Sequence, residues 1–239
     1  PQENRLVNNG VAEVSEDHSE AAQAILRYEL ETFVCDGQYE KGLETILDKF
    51  LVNLDAGTEQ PGVWISGFYG SGKSHLAKML RTLWTDYQFA DGATARSLAK
   101  LPTGVFEHLK ELSTQGRRHG ALHAAAGKLG AGAGDKVRLA LLGIVFKSKG
   151  LPEQYNQAQF ILWMKQEGIL DKVEAELCKV GRTLARELPH MYVSDNLANA
   201  LLQVKPTLAS SVADLYSRLE AQFPQVTDVT SEQMTTAIE

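Results

Sequence analysis

Apolar residues recur at intervals of three and four along most of the chain, a spacing that predicts amphipathic helices. The clearest stripe covers residues 39–54, and an earlier one covers residues 19–34. The same spacing predicts further helices over residues 75–84, 102–112, 137–146, 155–166, 170–188, 196–204 and 208–223. These helices surround a central part of the chain that has a different pattern.

Two short stretches in the central part predict strands. Val63-Trp64-Ile65-Ser66 is apolar and β-prone, as a buried strand of a parallel sheet should be. Residues 120–126 are small and apolar, and they are the candidate for a second core strand. The first strand precedes a glycine-rich loop and then the helix over 75–84, so the predicted order is strand, loop, helix.

The loop carries the phosphate-binding sequence G-x-x-x-x-G-K-[ST], known as Walker A. Its residues are Gly67, Phe68, Tyr69, Gly70, Ser71, Gly72, Lys73 and Ser74. Glycines allow the backbone to turn tightly, so that successive N–H groups point at phosphate oxygens, and the start of the following helix adds partial positive charge. The motif therefore predicts a site for ATP and Mg²⁺.

Individual residues of the site have distinct predicted roles. Lys73 is expected to reach the β- and γ-phosphates, and Ser74 is expected to offer its hydroxyl to Mg²⁺. His75 follows the motif directly and is included among the residues predicted to contact the nucleotide. Phe68 and Tyr69 occupy free positions of the motif and are expected to pack against neighbouring elements. Residues 35–39 are a first guess for the adenine pocket.

The parts needed for hydrolysis are not visible in the sequence. A P-loop hydrolase needs an acidic residue at the end of a second core strand to hold Mg²⁺, and no apolar run after Ser74 ends in a convincing acid. No catalytic residue is therefore identified. The glycine-rich segment 127–134 lacks a closing G-K-[ST], and it is expected to be a mobile loop or, alternatively, a loop that approaches the nucleotide.

Composition narrows the function classes. The chain has 239 residues, 44% of them hydrophobic and 23% charged, which is ordinary for a globular protein. The net charge of −6 argues against nucleic-acid binding over the whole surface. No apolar run approaches the roughly 20 residues of a membrane span, no signal peptide is visible, and the two cysteines are expected to be unrelated reduced thiols of a cytoplasmic protein.

Several stretches together resemble the BrxC family, the large P-loop ATPases of bacteriophage exclusion (BREX) defence systems in bacteria. The resemblance is carried by Tyr28-Glu29-Leu30-Glu31-Thr32-Phe33-Val34 and by the block over residues 63–75. Residues 4–14, 150–152 and 163–168 are also similar to that family. Only the block around the Walker A sequence is specific in itself, and residues 67–74 match the family motif one by one.

The resemblance implies an AAA-like ATPase in a multi-protein system that methylates host DNA and blocks phage replication. It implies that this chain is the N-terminal part of a longer protein, which fits a sequence that begins without Met. The implied partners are other BREX proteins, with a homo-oligomer as an option, DNA contacted indirectly or through other regions, and no membrane. ATPase activity is then expected of the full-length protein, and weak hydrolysis of this stretch alone.

The sequence thus predicts an α/β fold: an AAA-like P-loop NTPase core with a parallel sheet, N-terminal helices and a helical C-terminal part. The predicted boundaries are 1–58 for the N-terminal helices packing on the core, 59–150 for the partial nucleotide-binding core and 151–239 for the helical region. Two other functions stay open. One is a protein-interaction scaffold with a vestigial P-loop, and the other is a DNA-associated assembly module, against which the net charge weighs.

Overall fold

The computed structural model describes residues 19–57, 62–129 and 136–238 of the chain. It divides into two compact units, one within residues 1–127 and the other within residues 128–239. The predicted division at residues 58 and 150 stays a prediction. The polar opening over residues 1–17, and most of the glycine-rich segment 127–134, lie outside the described residues.

The first unit is helical. Its helices are α1 (Glu20–Glu31), α2 (Gly37–Ala56), α3 (Lys73–Trp84), α4 (Ala95–Leu98) and α5 (Thr103–Arg118). Helix α2 packs along α5, and α3 contacts both α4 and α5. Their apolar stripes meet in one core, whose fully buried members include Leu30, Leu43, Leu47, Met79, Leu83, Leu109 and Leu112. Burial of these stripes, rather than helix propensity, supplies most of the stability of such helices.

The predicted α/β fold, an AAA-like P-loop NTPase core with a parallel sheet, is wrong, because the described residues form helices and no sheet. In the described parts of the chain the only β pairing is an isolated antiparallel bridge between Gln88 and Thr94. The predicted strand at residues 63–66 is irregular, with Val63 57% and Trp64 90% exposed, and residues 120–126 form no strand either. An apolar, β-prone segment becomes a strand only when a neighbour pairs with its backbone. The described residues supply no such neighbour, and the core is made by helix faces instead.

Arg96 joins several elements of the first unit from inside. The residue lies on the short helix α4 and is only 9% exposed. Its guanidinium donates hydrogen bonds to four acceptors: the backbone oxygens of Leu83, Trp84 and Leu109, and the hydroxyl of Ser113. Burial lowers the pKa of Arg96, and the nearby carboxylate of Asp86 opposes that shift. The side chain therefore fastens the C-terminal end of α3 to α5.

The second unit is also helical. Its α-helices are α6 (Val137–Ser148), α7 (Tyr155–Gln166), α8 (Leu170–Lys179), α9 (Leu184–Glu187), α10 (Asp195–Val204), α11 (Val212–Gln222) and α12 (Ser231–Ile238), with 3₁₀ turns at Leu188–His190 and Pro206–Leu208. Helix α10 lies against α8 and α11, and α6 lies against α7 and α12. Two apolar clusters result, one centred on α7, α8, α10 and α11 and a smaller one beneath α6.

Two predicted helices of this unit can be compared with the observed helix ends. The predicted helix over residues 155–166 is confirmed as α7. The predicted helix over residues 170–188 ends early, because Gly181 adopts a left-handed φ of 69° just after α8. Glycine adopts that conformation without steric cost, and it commonly ends helices in this way.

A buried carboxylate organises the start of α10. The side chain of Glu187 is 9% exposed and accepts a hydrogen bond of 2.5 Å from the hydroxyl of Ser194. The same hydroxyl accepts the backbone N–H of Leu197 at 3.1 Å, so Ser194 caps the helix. The hydrogen bond from Ser194 is the main cause that lowers the pKa of Glu187, and Asn196 adds to it.

Replacement of Glu187 by glutamine is expected to destabilise the chain in a pH-dependent way. Because the folded pKa lies below the ordinary value of 4.5, the ionised carboxylate stabilises the fold above that pH. The advantage of wild type over Glu187→Gln should be complete at pH 7 and should shrink as pH falls through the lowered pKa. Thermal midpoints measured from pH 7 to about pH 3 check this. Glu174→Gln, an exposed change on α8, is the matched control, and an advantage independent of pH would contradict the prediction.

Within the described ranges, every helix is too short or too polar to cross a lipid bilayer.

Candidate functional site

The Walker A residues form a loop that leads into α3. Helix α3 begins at Lys73, and Gly72 is its N-cap, with a left-handed φ of 80° and no side chain capping the exposed N–H groups. Gly70 has the same φ of 80°. An uncapped helix start leaves backbone donors and partial positive charge available to an anion. The loop therefore brings the uncapped start of a helix together with a tight glycine turn.

Two glycines of the loop are needed for close approach. A Cβ at Gly67 would lie 2.7 Å from the hydroxyl oxygen of Ser71. A Cβ at Gly72 would overlap the hydroxyl oxygen of Tyr39, which lies directly against the backbone there. Rotation of the Ser71 side chain would relieve the contact at Gly67, whereas a side chain at Gly72 would also have to adopt a left-handed φ.

Lys73 folds back over the loop. Its Nζ donates to the backbone oxygen of Gly67 at 2.9 Å and to that of Phe68 at 2.7 Å. The backbone N–H of Ser71 also donates to the Phe68 oxygen, at 3.2 Å. The ammonium group is thus held at the loop by two neutral carbonyls. A phosphate oxygen would be a stronger acceptor for the same ammonium, because the bond would then join two opposite charges.

The structure places the next two predicted site residues, Ser74 and His75, in different environments. Ser74 is exposed in the first turn of α3. The His75 ring packs against the Phe33 ring in an edge-to-face arrangement, with 5.7 Å between the ring centroids. Burial lowers the pKa of His75, and Lys78 adds to this while Glu29 opposes it. The imidazole is therefore neutral at pH 7.

The expectation that the two aromatic residues of the motif pack against neighbouring elements is wrong. Phe68 is 91% exposed and Tyr69 is 95% exposed. Trp64, which precedes the loop in sequence, is also 90% exposed. Such exposed aromatic residues are enriched in surfaces that bind other molecules.

Tyr39 contacts the glycine loop, and the sequence did not predict this contact. Its hydroxyl donates to the backbone oxygen of Ser71 at 3.0 Å, across 32 positions of sequence. Residues 35–39 were only a guess for the adenine pocket, and the apolar stripe of α2 gave no sign of a contact with the loop. Cys35, in the same stretch, is buried, and burial raises the pKa of its thiol to about 11, so it is protonated at pH 7.

Neither a search for metal-binding side chains nor comparison with known proteins assigns a function to the site. In the part of the chain that the structure describes, no three His, Cys, Asp or Glu side chains are grouped to hold a metal ion. Comparison with protein-family models, with curated proteins and with solved structures found no match to this chain. The interpretation of the site therefore depends on the geometry of the loop and on its sequence.

Proposed function

We propose that residues 67–74 bind the triphosphate of ATP·Mg²⁺. The observation that carries the proposal is the meeting of the Lys73 ammonium with a glycine turn at the uncapped start of α3. Each of these features favours an anion, and together they provide one fixed charge and several backbone donors. The left-handed glycines at positions 70 and 72 fit a loop that wraps around phosphate.

In this proposal Lys73, Ser74 and His75 have different roles in binding ATP·Mg²⁺. Lys73 neutralises phosphate charge, and it exchanges its two carbonyl acceptors for phosphate oxygens. The exposed hydroxyl of Ser74 is free to turn toward the Mg²⁺ that accompanies ATP, in keeping with the hard oxygen ligands that this ion prefers. His75 contributes through its backbone N–H in the first turn of α3, since its ring is occupied by Phe33.

Isothermal titration of ATP·Mg²⁺ into the wild-type chain tests the proposal. One saturable site is expected, and inorganic tripolyphosphate should compete for it because the contacts are to phosphate. Bound ligand should also raise the thermal midpoint. Neither heat of binding nor thermal stabilisation at millimolar ATP·Mg²⁺ would contradict the proposal.

Hydrolysis by these residues alone is expected to be weak. The described residues contain no strand that could end in a metal-holding acid, and such an acid is needed to hold Mg²⁺ for hydrolysis. Steady-state phosphate release should therefore stay below about 1 s⁻¹, the lower end of typical enzyme turnover. Release at or above that rate, lost in a Ser74→Ala variant, would show that the chain holds a complete catalytic site.

A protein-interaction scaffold is the second candidate, and the exposed Trp64, Phe68 and Tyr69 favour it. In that case the glycine loop would be vestigial, and these aromatic residues would contact another protein. A stable oligomer or a specific bound protein, found without any nucleotide binding, would support this function over the first.

The wider setting that we propose follows the family resemblance. The chain would be the N-terminal, ATP-binding portion of a BREX phage-defence ATPase of the BrxC family, acting in the cytoplasm with other proteins of that system. DNA would be contacted indirectly or through other regions, since the net charge of −6 disfavours direct contact over this surface. Co-purification of this chain with proteins of a BREX system, absent for a loop-deleted variant, would test the assignment.

A further inference from the structure

The side chain of Tyr39 reaches the candidate loop from another helix. Tyr39 lies in the first turn of α2, and its hydroxyl donates to the Ser71 oxygen at 3.0 Å. Its ring meets the edge of the Phe33 ring at 6.2 Å between centroids. Phe33 in turn contacts the ring of His75 on α3. The hydroxyl is therefore held in place by an aromatic contact that connects α2 to the start of α3.

This hydrogen bond fixes the direction of one peptide group. The peptide between Ser71 and Gly72 is trans, so its C=O and N–H point to opposite sides. Since the carbonyl oxygen faces Tyr39, the N–H of Gly72 points away from Tyr39. A Cβ at Gly72 would overlap the tyrosine oxygen, which shows how closely the Tyr39 hydroxyl approaches the backbone of the loop.

We propose that Tyr39 is a positioning residue for the phosphate-binding loop, a role that rests on the proposed function. By holding the Ser71 carbonyl, it keeps the Gly72 N–H available to a phosphate oxygen. Rotation of this peptide by half a turn would present a carbonyl oxygen to the phosphate instead, and two negative groups would then face each other. Tyr39 thus supports binding without touching the ligand.

Replacement of Tyr39 by phenylalanine isolates the hydroxyl, because the ring and its contact with Phe33 are kept. We expect the dissociation constants of ATP·Mg²⁺ and of inorganic tripolyphosphate to rise together, by about three- to tenfold, as for loss of one neutral hydrogen bond. The thermal midpoint without ligand should change little. Tyr87→Phe is the matched control, since Tyr87 is half-buried, meets Phe89 edge-on at 5.1 Å, and lies beyond the far end of α3.

A second measurement tests the contact without any ligand. Gly72→Ala should lower the thermal midpoint, because its Cβ would overlap the hydroxyl oxygen of Tyr39. The same change should lower the midpoint less in the Tyr39→Phe background, where that oxygen is absent. Such coupling between two changes indicates direct contact.

The outcomes separate the two proposals. Equal affinity of wild type and Tyr39→Phe for both ligands, or additive effects of Tyr39→Phe and Gly72→Ala, would overturn the role of Tyr39 alone. A wild-type chain that binds neither ATP·Mg²⁺ nor tripolyphosphate would overturn the proposed function and this role with it. Weaker binding of both ligands by Tyr39→Phe, with normal binding by Tyr87→Phe, supports the role.

Discussion

Replacement of Lys73 by alanine is expected to raise the dissociation constant of ATP·Mg²⁺ by about 10- to 100-fold, the effect of losing a hydrogen bond between charged groups. Lys73 is the only charged residue in the sequence of the loop, residues 67–74, and its ammonium donates to the oxygens of Gly67 and Phe68. Alanine removes that charge and leaves the backbone donors at the start of α3. Titration of ATP·Mg²⁺ into both proteins at one fixed salt concentration measures the change.

The matched control for this experiment is Lys100→Ala. Lys100 is an exposed lysine in the connection between α4 and α5, so this change alters the net charge equally without altering the loop. Its affinity for ATP·Mg²⁺ should equal that of wild type. Equal binding by wild type and Lys73→Ala would remove Lys73 from the site. Equal weakening by both variants would assign the effect to overall charge.

Replacement of Arg96 by alanine is expected to lower the free energy of unfolding by about 3–5 kcal/mol, in the range reserved for disrupted buried networks. The change removes the guanidinium and its hydrogen bonds to the C-terminal end of α3 and to α5, although the Leu83 oxygen keeps the N–H of Asp86 as a donor at 3.3 Å. Hydrogen bonds from a charged donor contribute about 1.5–3 kcal/mol each, so the loss of several of them at one buried side chain has a large effect. Denaturant unfolding measured at pH 7 gives the difference.

Two further variants determine the origin of this loss. Arg96→Met keeps much of the side-chain volume and removes the donors, so it should be almost as destabilising as alanine. Arg118→Ala removes an exposed arginine from the last turn of α5 and should change stability by less than about 0.5 kcal/mol. If Arg96→Met were as stable as wild type, packing rather than hydrogen bonding would be the role of this residue.

The sequence predicted the helices well because their signal is local. Apolar spacing gave the bounds of α7 correctly, and the glycine-rich motif predicted the loop that precedes α3. Both signals depend on residues that are close together in sequence. They do not require knowledge of what lies next to them in space.

The wrong predictions depended on distant partners. The apolar residues at 63–66 indicated a strand, but a strand exists only with a paired neighbour, and none is found in the described ranges. The contact of Tyr39 with Ser71 and the hydrogen bonds of the buried Arg96 are equally non-local. Composition and periodicity carry no record of such contacts.

The two ends of α3 differ in how firmly they are held. At the C-terminal end, the guanidinium of Arg96 donates hydrogen bonds to the oxygens of Leu83 and Trp84. At the N-terminal end, Lys73 donates to the Gly67 oxygen of the loop, and Tyr39 donates to the Ser71 oxygen. Because its C-terminal end is held by these hydrogen bonds, we expect α3 not to shift along its axis when an anion binds at its N-terminal end. We therefore expect any conformational change on anion binding to occur in the loop residues that precede the helix.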